Sequence, residues 1–361
     1  MTWNHPRGYL GLEKASKYYA QSHKVSIRWD RRSLQSFADA PIEELAASYD
    51  LVVLDHPHVG LISESNCLLP LPEPPADISI GGSLESYFWN GQLWAFPIDA
   101  ACQVAVKCSD LKPVELPDWE AVLDGSYDAP LLTPLLPVDA FDMMMTLIAG
   151  LGEEILPHSP NAFCSDRNGL LALRVLKSLY KSGPAEAVGW SPIDVLEILS
   201  TSDDFAYCPC LFGYINYARR GFRDHVVQYC DLPSFRGYKL KRGILGGAGI
   251  GVSSKSAHPE TAIAFAQWVA SEPVQSGLLL DNEGQPGHRH SWLKMKDDPR
   301  FSGFLGGAFD TMENAWTRPR NTWFLGFVDA VCEIFPAFFT QDRSEADFLR
   351  DINALYVKHK S

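Results

Sequence analysis

The first 55 residues constrain the fold most, because strand-like runs and helical spacing alternate there without a break. Met1–Trp3 reads as a short strand, Gly11–Gln21 carries helical spacing, and Lys24–Trp29 alternates apolar and polar residues at the strand period. Pro41–Ser48 reads as a helix, with proline in its first turn and Glu43 and Glu44 where the helix dipole favours negative charge. Tyr49–Leu54 is an apolar run around Val52 and Val53, the pattern of a parallel strand buried on both faces. Strand, helix, strand, helix, strand in so short a span predicts a doubly wound α/β lobe.

Ligands of such lobes sit beyond the carboxyl ends of the strands. Asn4, His5, Pro6 and Arg7 follow the first strand, Asp30, Arg31 and Arg32 the second, and Asp55, His56, Pro57 and His58 the third. Three polar clusters in phase predict a site along one edge, begun at the first turn of the chain. His56 and His58 carry metal-ligating chemistry, but the proline between them sends both rings from one turn, and no metal is expected.

A chain of 361 residues is long enough for two lobes. Its formal net charge of −13, from 31 Lys and Arg against 44 Asp and Glu, excludes nucleic acid as an expected partner. No apolar run reaches the ~20 residues of a membrane span, Met143–Gly150 coming nearest, so the chain is not expected to span a membrane. Nothing near Met1 reads as a secretory leader. Eight cysteines (Cys67, Cys102, Cys108, Cys164, Cys208, Cys210, Cys230 and Cys332) are scattered, and Cys208 and Cys210 form CxC rather than CxxC. Buried free thiols in a reducing compartment are expected. As it stands the chain reads as cytoplasmic, or as periplasmic if a leader has been removed.

Residues 87–106, YFWNGQLWAFPIDAACQVAV, predict a hairpin with an Asn-Gly turn leading into a strand. Residues 110–128 are punctuated by proline and suit a crossing into a second lobe. Helical spacing returns at Ala140–Leu151, Gly169–Lys181, Ile193–Ser200 and Pro259–Ser271. The glycines of GAGIG at 247–251 lack GxGxxG spacing and a Walker lysine, so they read as a hinge strand closely approaching a ligand rather than a phosphate loop.

Taken in order, NGQLWAFPIDAACQVAV, ILGGAGIGVSSKSAHPETAIAFAQWVASEPVQ, EGQPGHRHSW and the RPR of Arg318–Arg320 resemble the sugar-type, maltose-binding-like solute-binding proteins of ABC importers. The resemblance covers nearly the whole chain. It implies an α/β, two-lobed, type II periplasmic-binding-protein-like fold with a multi-stranded hinge and a ligand cleft between lobes. One lobe would hold about residues 1–105 with 246–310, and a helix-rich one about 106–245 with 311–361. It also implies a small-molecule ligand, no cofactor, and ABC permease subunits as partners if the chain is exported.

The candidate ligand shell then comprises Trp3, Asn4, His5 and Arg7, Asp30 and Arg31, Asp55 and His56, and Asp99 and Gln103 from the first crossing. Tyr214, Tyr217, Gly247, Gln285, His288, Arg289, Arg318, Arg320 and Trp323 complete it. Trp3 and Trp323 suit stacking on a sugar's C–H face, whereas Trp94 and Trp268 occupy core positions. Arg7, Arg31, Arg289, Arg318 and Arg320 exceed what hydroxyls require and point to an anionic ligand such as a sugar acid. His5 and Arg7 are expected on a loop on which little packing depends. The alternative is an intracellular enzyme or sensor on the same fold, with His5, His56, His288 and Asp99 as acid–base groups. No GxSxG motif and no cysteine beside a histidine accompany them, so binding is favoured over catalysis.

Overall fold

The structure, a computed structural model, describes residues 1–33, 41–74, 78–108, 110–111, 116–127, 130–153, 155, 159–294, 296–301 and 303–361. Part of the expected crossing at 110–128 lies outside the described residues. The chain divides into two compact units. The first is Met1–Ala101 with Leu245–Met295 and Arg320–Thr322; the second is Cys102–Ile244 with Lys296–Pro319 and Trp323–Ser361. Residues 296–310, expected with the first lobe, fall in the second unit, and 320–322 fall in the first.

In the first unit, β1 (Thr2–Trp3) pairs in parallel with β2 (Arg31–Arg32). Val53 N–H donates to the Met1 carbonyl at 3.1 Å, which brings β3 (Leu51–Leu54) against the other side of β1. Two expectations change here. Lys24–Trp29 does alternate in burial, Val25, Ile27 and Trp29 turning inward, but it has no ladder partner and forms no strand. The strand instead is Arg31–Arg32, inside the cluster expected to follow it. The run around Val52 is fully buried as expected, yet its ladder is antiparallel, to β9 (Leu245–Val252), so the lobe is not simply doubly wound and parallel. The hairpin of β4 (Phe88–Trp89) and β5 (Gln92–Leu93) turns at Asn90 and Gly91 with φ of 51° and 74°, as Asn-Gly prescribes. β6 (Phe96–Cys108) follows and carries the chain across the border at 101/102. Trp3, Leu12, Tyr19, Val53, Trp94 and Phe265 lie in one apolar core.

The second unit is built on the later half of β6, flanked by β7 (Tyr207–Phe212) and β8 (Val227–Cys230), both antiparallel to it. Helices Pro137–Gly150, Asp166–Ser182, Trp323–Thr340 and Glu345–Lys360 pack around an aromatic core of Phe141, Phe163, Phe327, Phe335 and Phe348. Trp323–Thr340 has a mean hydropathy of 1.5 and is long and apolar enough to cross a membrane, which corrects the expectation that no segment comes near. Its Phe324, Phe327, Val331, Phe335 and Phe338 are buried in this core, so its apolar face is already covered by protein.

Candidate functional site

The edge at the carboxyl ends of β1 and β3 is built from the first turn of a helix, not from a loop. Pro6–His23 is helical from its second turn back to Pro6, because proline is preformed for that position. His5 caps it, its Nδ1 accepting from Arg7 N–H at 3.2 Å. Gly8 lets the helix lie on Trp3, since a Cβ there would stand 2.4 Å from the indole. Trp3 is thereby a core ring rather than an exposed platform. Arg7 is 7% exposed and reaches Asp99 of β6 through two bonds, Nε at 2.7 Å and NH2 at 2.5 Å. Burial pushes the Asp99 carboxyl up, nearby Asp55 adds to this, and the Arg7 guanidinium pulls it back down. The expected loop on which nothing depends is a buried bidentate ion pair.

Other residues of the candidate shell gather around the same stretch of β6. Gln285 donates from Nε2 to the Ala100 carbonyl at 2.7 Å, and its own carbonyl accepts from Ala100 N–H at 3.3 Å. Gly247 has φ of 107°, and a Cβ there would stand 2.4 Å from the Asp99 carbonyl oxygen. The close approach expected at this glycine is therefore to β6 backbone, not to a ligand. Sequence reading missed Gln275, which locks this corner. Its Nε2 donates to the carbonyls of Pro97 and Ala270, while its Oε1 accepts from Gly287 and His288 N–H. It lies in no polar cluster and has no spacing signal.

Asp55 caps the short turn His56–His58, accepting from His56 N–H at 2.7 Å, and its Oδ1 lies 3.0 Å from His56 Nδ1. His288 Nδ1 accepts from His290 N–H at 3.2 Å, and Arg289 N–H donates to Ile78; burial pushes His288 below its ordinary value. The histidines and the aspartate considered as acid–base groups are thus all engaged in caps, turns or an ion pair. Asp30 and Arg31 are exposed, Arg31 being paired with Glu13 and lying 3.5 Å from the Tyr9 ring centre. Asn4 is exposed and donates its N–H to the Arg32 carbonyl at 2.6 Å. Arg320 NH1 donates to three carbonyls, Glu85 at 2.7 Å, Phe88 at 2.9 Å and Ser86 at 3.2 Å.

The remaining candidates lie in the second unit. Gln103 is 1% exposed, its Oε1 accepting from Thr146 Oγ1 at 2.5 Å and from Cys210 Sγ. Tyr217 donates to Glu197 at 2.7 Å, a carboxylate also held by Arg223. The Tyr214 backbone exchanges bonds with the Tyr229 hydroxyl. Trp323 packs edge-on to Tyr356 at 5.4 Å, against the apolar core. Arg318 faces Asp142, 3.7 Å away. Beside it stands a group the sequence reading passed over. Asp139, 6% exposed on the first turn of helix Pro137–Gly150, makes no hydrogen bond or ion pair among the described residues. Burial raises its carboxyl well above the ordinary value, and Asp142 and Asp194 add to this. The signal was available: carboxylates at i and i+3, followed by Thr146 four residues on, run down one side of an otherwise apolar helix.

No family model matches the chain. Solved structures do. The maltose-bound MalE3 of T. maritima superposes with a TM-score of 0.79 at 16% identity, covering 96% of this chain and 95% of that one. The GacH receptor of Streptomyces glaucescens, solved unliganded and with acarbose, gives 0.79 at 13% identity over 99% and 96%. An ABC transporter solute-binding protein of Agrobacterium radiobacter K84 in complex with ribitol gives 0.79 at 18% identity over 99% and 96%. Identity this low carries the fold and no more. The chain has the type II periplasmic-binding-protein fold of the maltose-binding-like solute-binding proteins.

Proposed function

We propose that this chain is a solute-binding protein of the ABC-importer kind and takes a small neutral carbohydrate or polyol. The observation that carries the reading is Asp139, a mostly buried carboxyl that makes no hydrogen bond or ion pair among the described residues, one turn before Asp142, which Arg318 faces. A buried polar group left open costs stability unless something else satisfies it, and a sugar hydroxyl would do so. The fold supports the reading, since proteins of this fold have been solved with maltose, acarbose and ribitol.

Four of the five arginines that pointed to an anionic ligand face acceptors within the chain, which favours a neutral one. Arg7 is held by Asp99, Arg31 by Glu13, Arg318 faces Asp142, and Arg320 is spent on three carbonyls. Much of the cationic surplus in the sequence is thus paired inside its own unit. Permease subunits are the partners this function would require. The free thiols do not by themselves argue against export, because burial pushes seven of the eight, all but Cys332, above the ordinary thiol range and so disfavours the reactive thiolate.

Calorimetric titration with maltose, ribitol and glucuronate tests this. Maltose or ribitol should bind more tightly than glucuronate, and Asp139→Ala should weaken that binding about 10–100-fold. Binding of glucuronate alone, or full affinity in the variant, would sink the reading.

A further inference from the structure

We propose that the first unit carries a second binding pocket, for a small organic anion with an apolar part. It is a cavity of about 410 Å3 lined by residues 24–28, by Met1 and the start of β3, and by His258 and the turn that follows it. It lies at the amino ends of β1 and β3, whereas Arg7 and Asp55 follow their carboxyl ends; the four residues of β3 separate the two by about 10 Å.

The chemistry of its lining is the reverse of the other edge. Lys24, Arg28 and His258 all line it, and none makes an ion pair or a side-chain hydrogen bond among the described residues. Across the candidate shell, by contrast, the arginines have acceptors of their own. The acidic residue of the pocket, Asp50, already accepts from Ser256 Oγ at 2.6 Å. Two fixed cations, Lys24 and Arg28, thus line a cavity in a chain whose net charge is −13. Both arise from the alternating segment that forms no strand: Lys24 and Arg28 turn outward while Val25 and Ile27 turn inward and join Phe265 as an apolar floor. Lys24 starts that segment in a left-handed conformation, φ 53°, which ends the preceding helix. A guanidinium and an ammonium over an apolar floor recognise a carboxylate or phosphate attached to a ring or short chain.

Phenyl phosphate and benzoate are the probes, each titrated calorimetrically into the full chain, with benzyl alcohol as the uncharged control. At least one of the two anions should bind, benzyl alcohol should bind at least tenfold more weakly, and added salt should weaken the anion. The Lys24→Ala/Arg28→Ala double variant should lose at least tenfold in affinity. Both side chains are exposed, so its circular dichroism spectrum and melting temperature should match the parent. No binding of either anion, equal binding of benzyl alcohol, or an unchanged affinity in the double variant would each overturn the proposal.

Discussion

Asp99 in the first unit and Asp139 in the second are buried alike, 5% and 6% exposed, and burial drives both carboxyls upward. Their surroundings diverge. Asp99 has the Arg7 guanidinium clamped across both oxygens; the charged neighbours of Asp139 are carboxylates. A buried acid whose partner is supplied by its own unit holds that unit together. One left without a partner adds nothing to the fold and is available to something that binds. The difference separates structural from functional polarity better than residue type or loop position does.

The largest effect should come from breaking the satisfied member. Asp99→Asn leaves a guanidinium buried against a neutral amide, which costs about 3–5 kcal/mol when one partner of such a pair is removed. Arg7→Ala should be similarly damaging, because the arginine is buried in a helix rather than displayed on a loop. Arg7→Met with Asp99→Leu should recover most of the loss, since an apolar pair needs no counter-charge. Denaturant titration measures all three. A cost below about 1 kcal/mol for Asp99→Asn would mean that the pair does not anchor the unit.

The open member should show itself through pH. An unfolded aspartate ionises near 3.9. In the folded chain Asp139 keeps its proton well above that. Above about pH 4 the folded state therefore binds more protons than the unfolded state, and this group's contribution to stability declines as pH rises. Asp139→Asn carries no such slope. The melting temperature of the variant minus that of the parent should grow as pH rises above about 4. A flat difference would show that Asp139 is ionised and has a partner, and the contrast with Asp99 would collapse.

The sequence made the elements legible where one period dominated. Helices at Pro137–Gly150 and Asp166–Ser182, the buried run around Val52 and the Asn-Gly hairpin all follow from local spacing. It failed where pairing decides. The alternation of Lys24–Trp29 is genuine, but a strand needs a neighbour, and that neighbour is claimed by Arg31–Arg32. The direction of β3 was also invisible, because its partner β9 lies some two hundred residues on and either direction buries both faces. For the candidate shell, sequence reading counted arginines without their acceptors. Asp99 lies 92 residues from Arg7, and backbone carbonyls such as those that hold Arg320 have no sequence signature at all. Asp139 was missed because the helix was read as starting at Ala140, whereas it starts at Pro137 and takes Asp139 into its first turn.

The smallest predicted effect lies at Arg31, and it sharpens the comparison by removing burial from it. Arg31 resembles Arg7 on paper, since each follows a predicted strand and each has a carboxylate partner. Its side chain is 37% exposed and that of Glu13 28%, so water and salt screen the pair and both long side chains lose rotamer freedom in making it. Its position over the Tyr9 ring adds a contact worth about 0.5–1 kcal/mol at an exposed site. Arg31→Ala should therefore cost about 1 kcal/mol or less at low ionic strength, and less still in 0.5 M salt. Denaturant titration of Arg31→Ala and Arg7→Ala side by side in both salts makes the test. The Arg7 deficit should persist in salt while the Arg31 deficit shrinks; if both shrink together, Arg7–Asp99 is solvated and the burial argument fails at its first step.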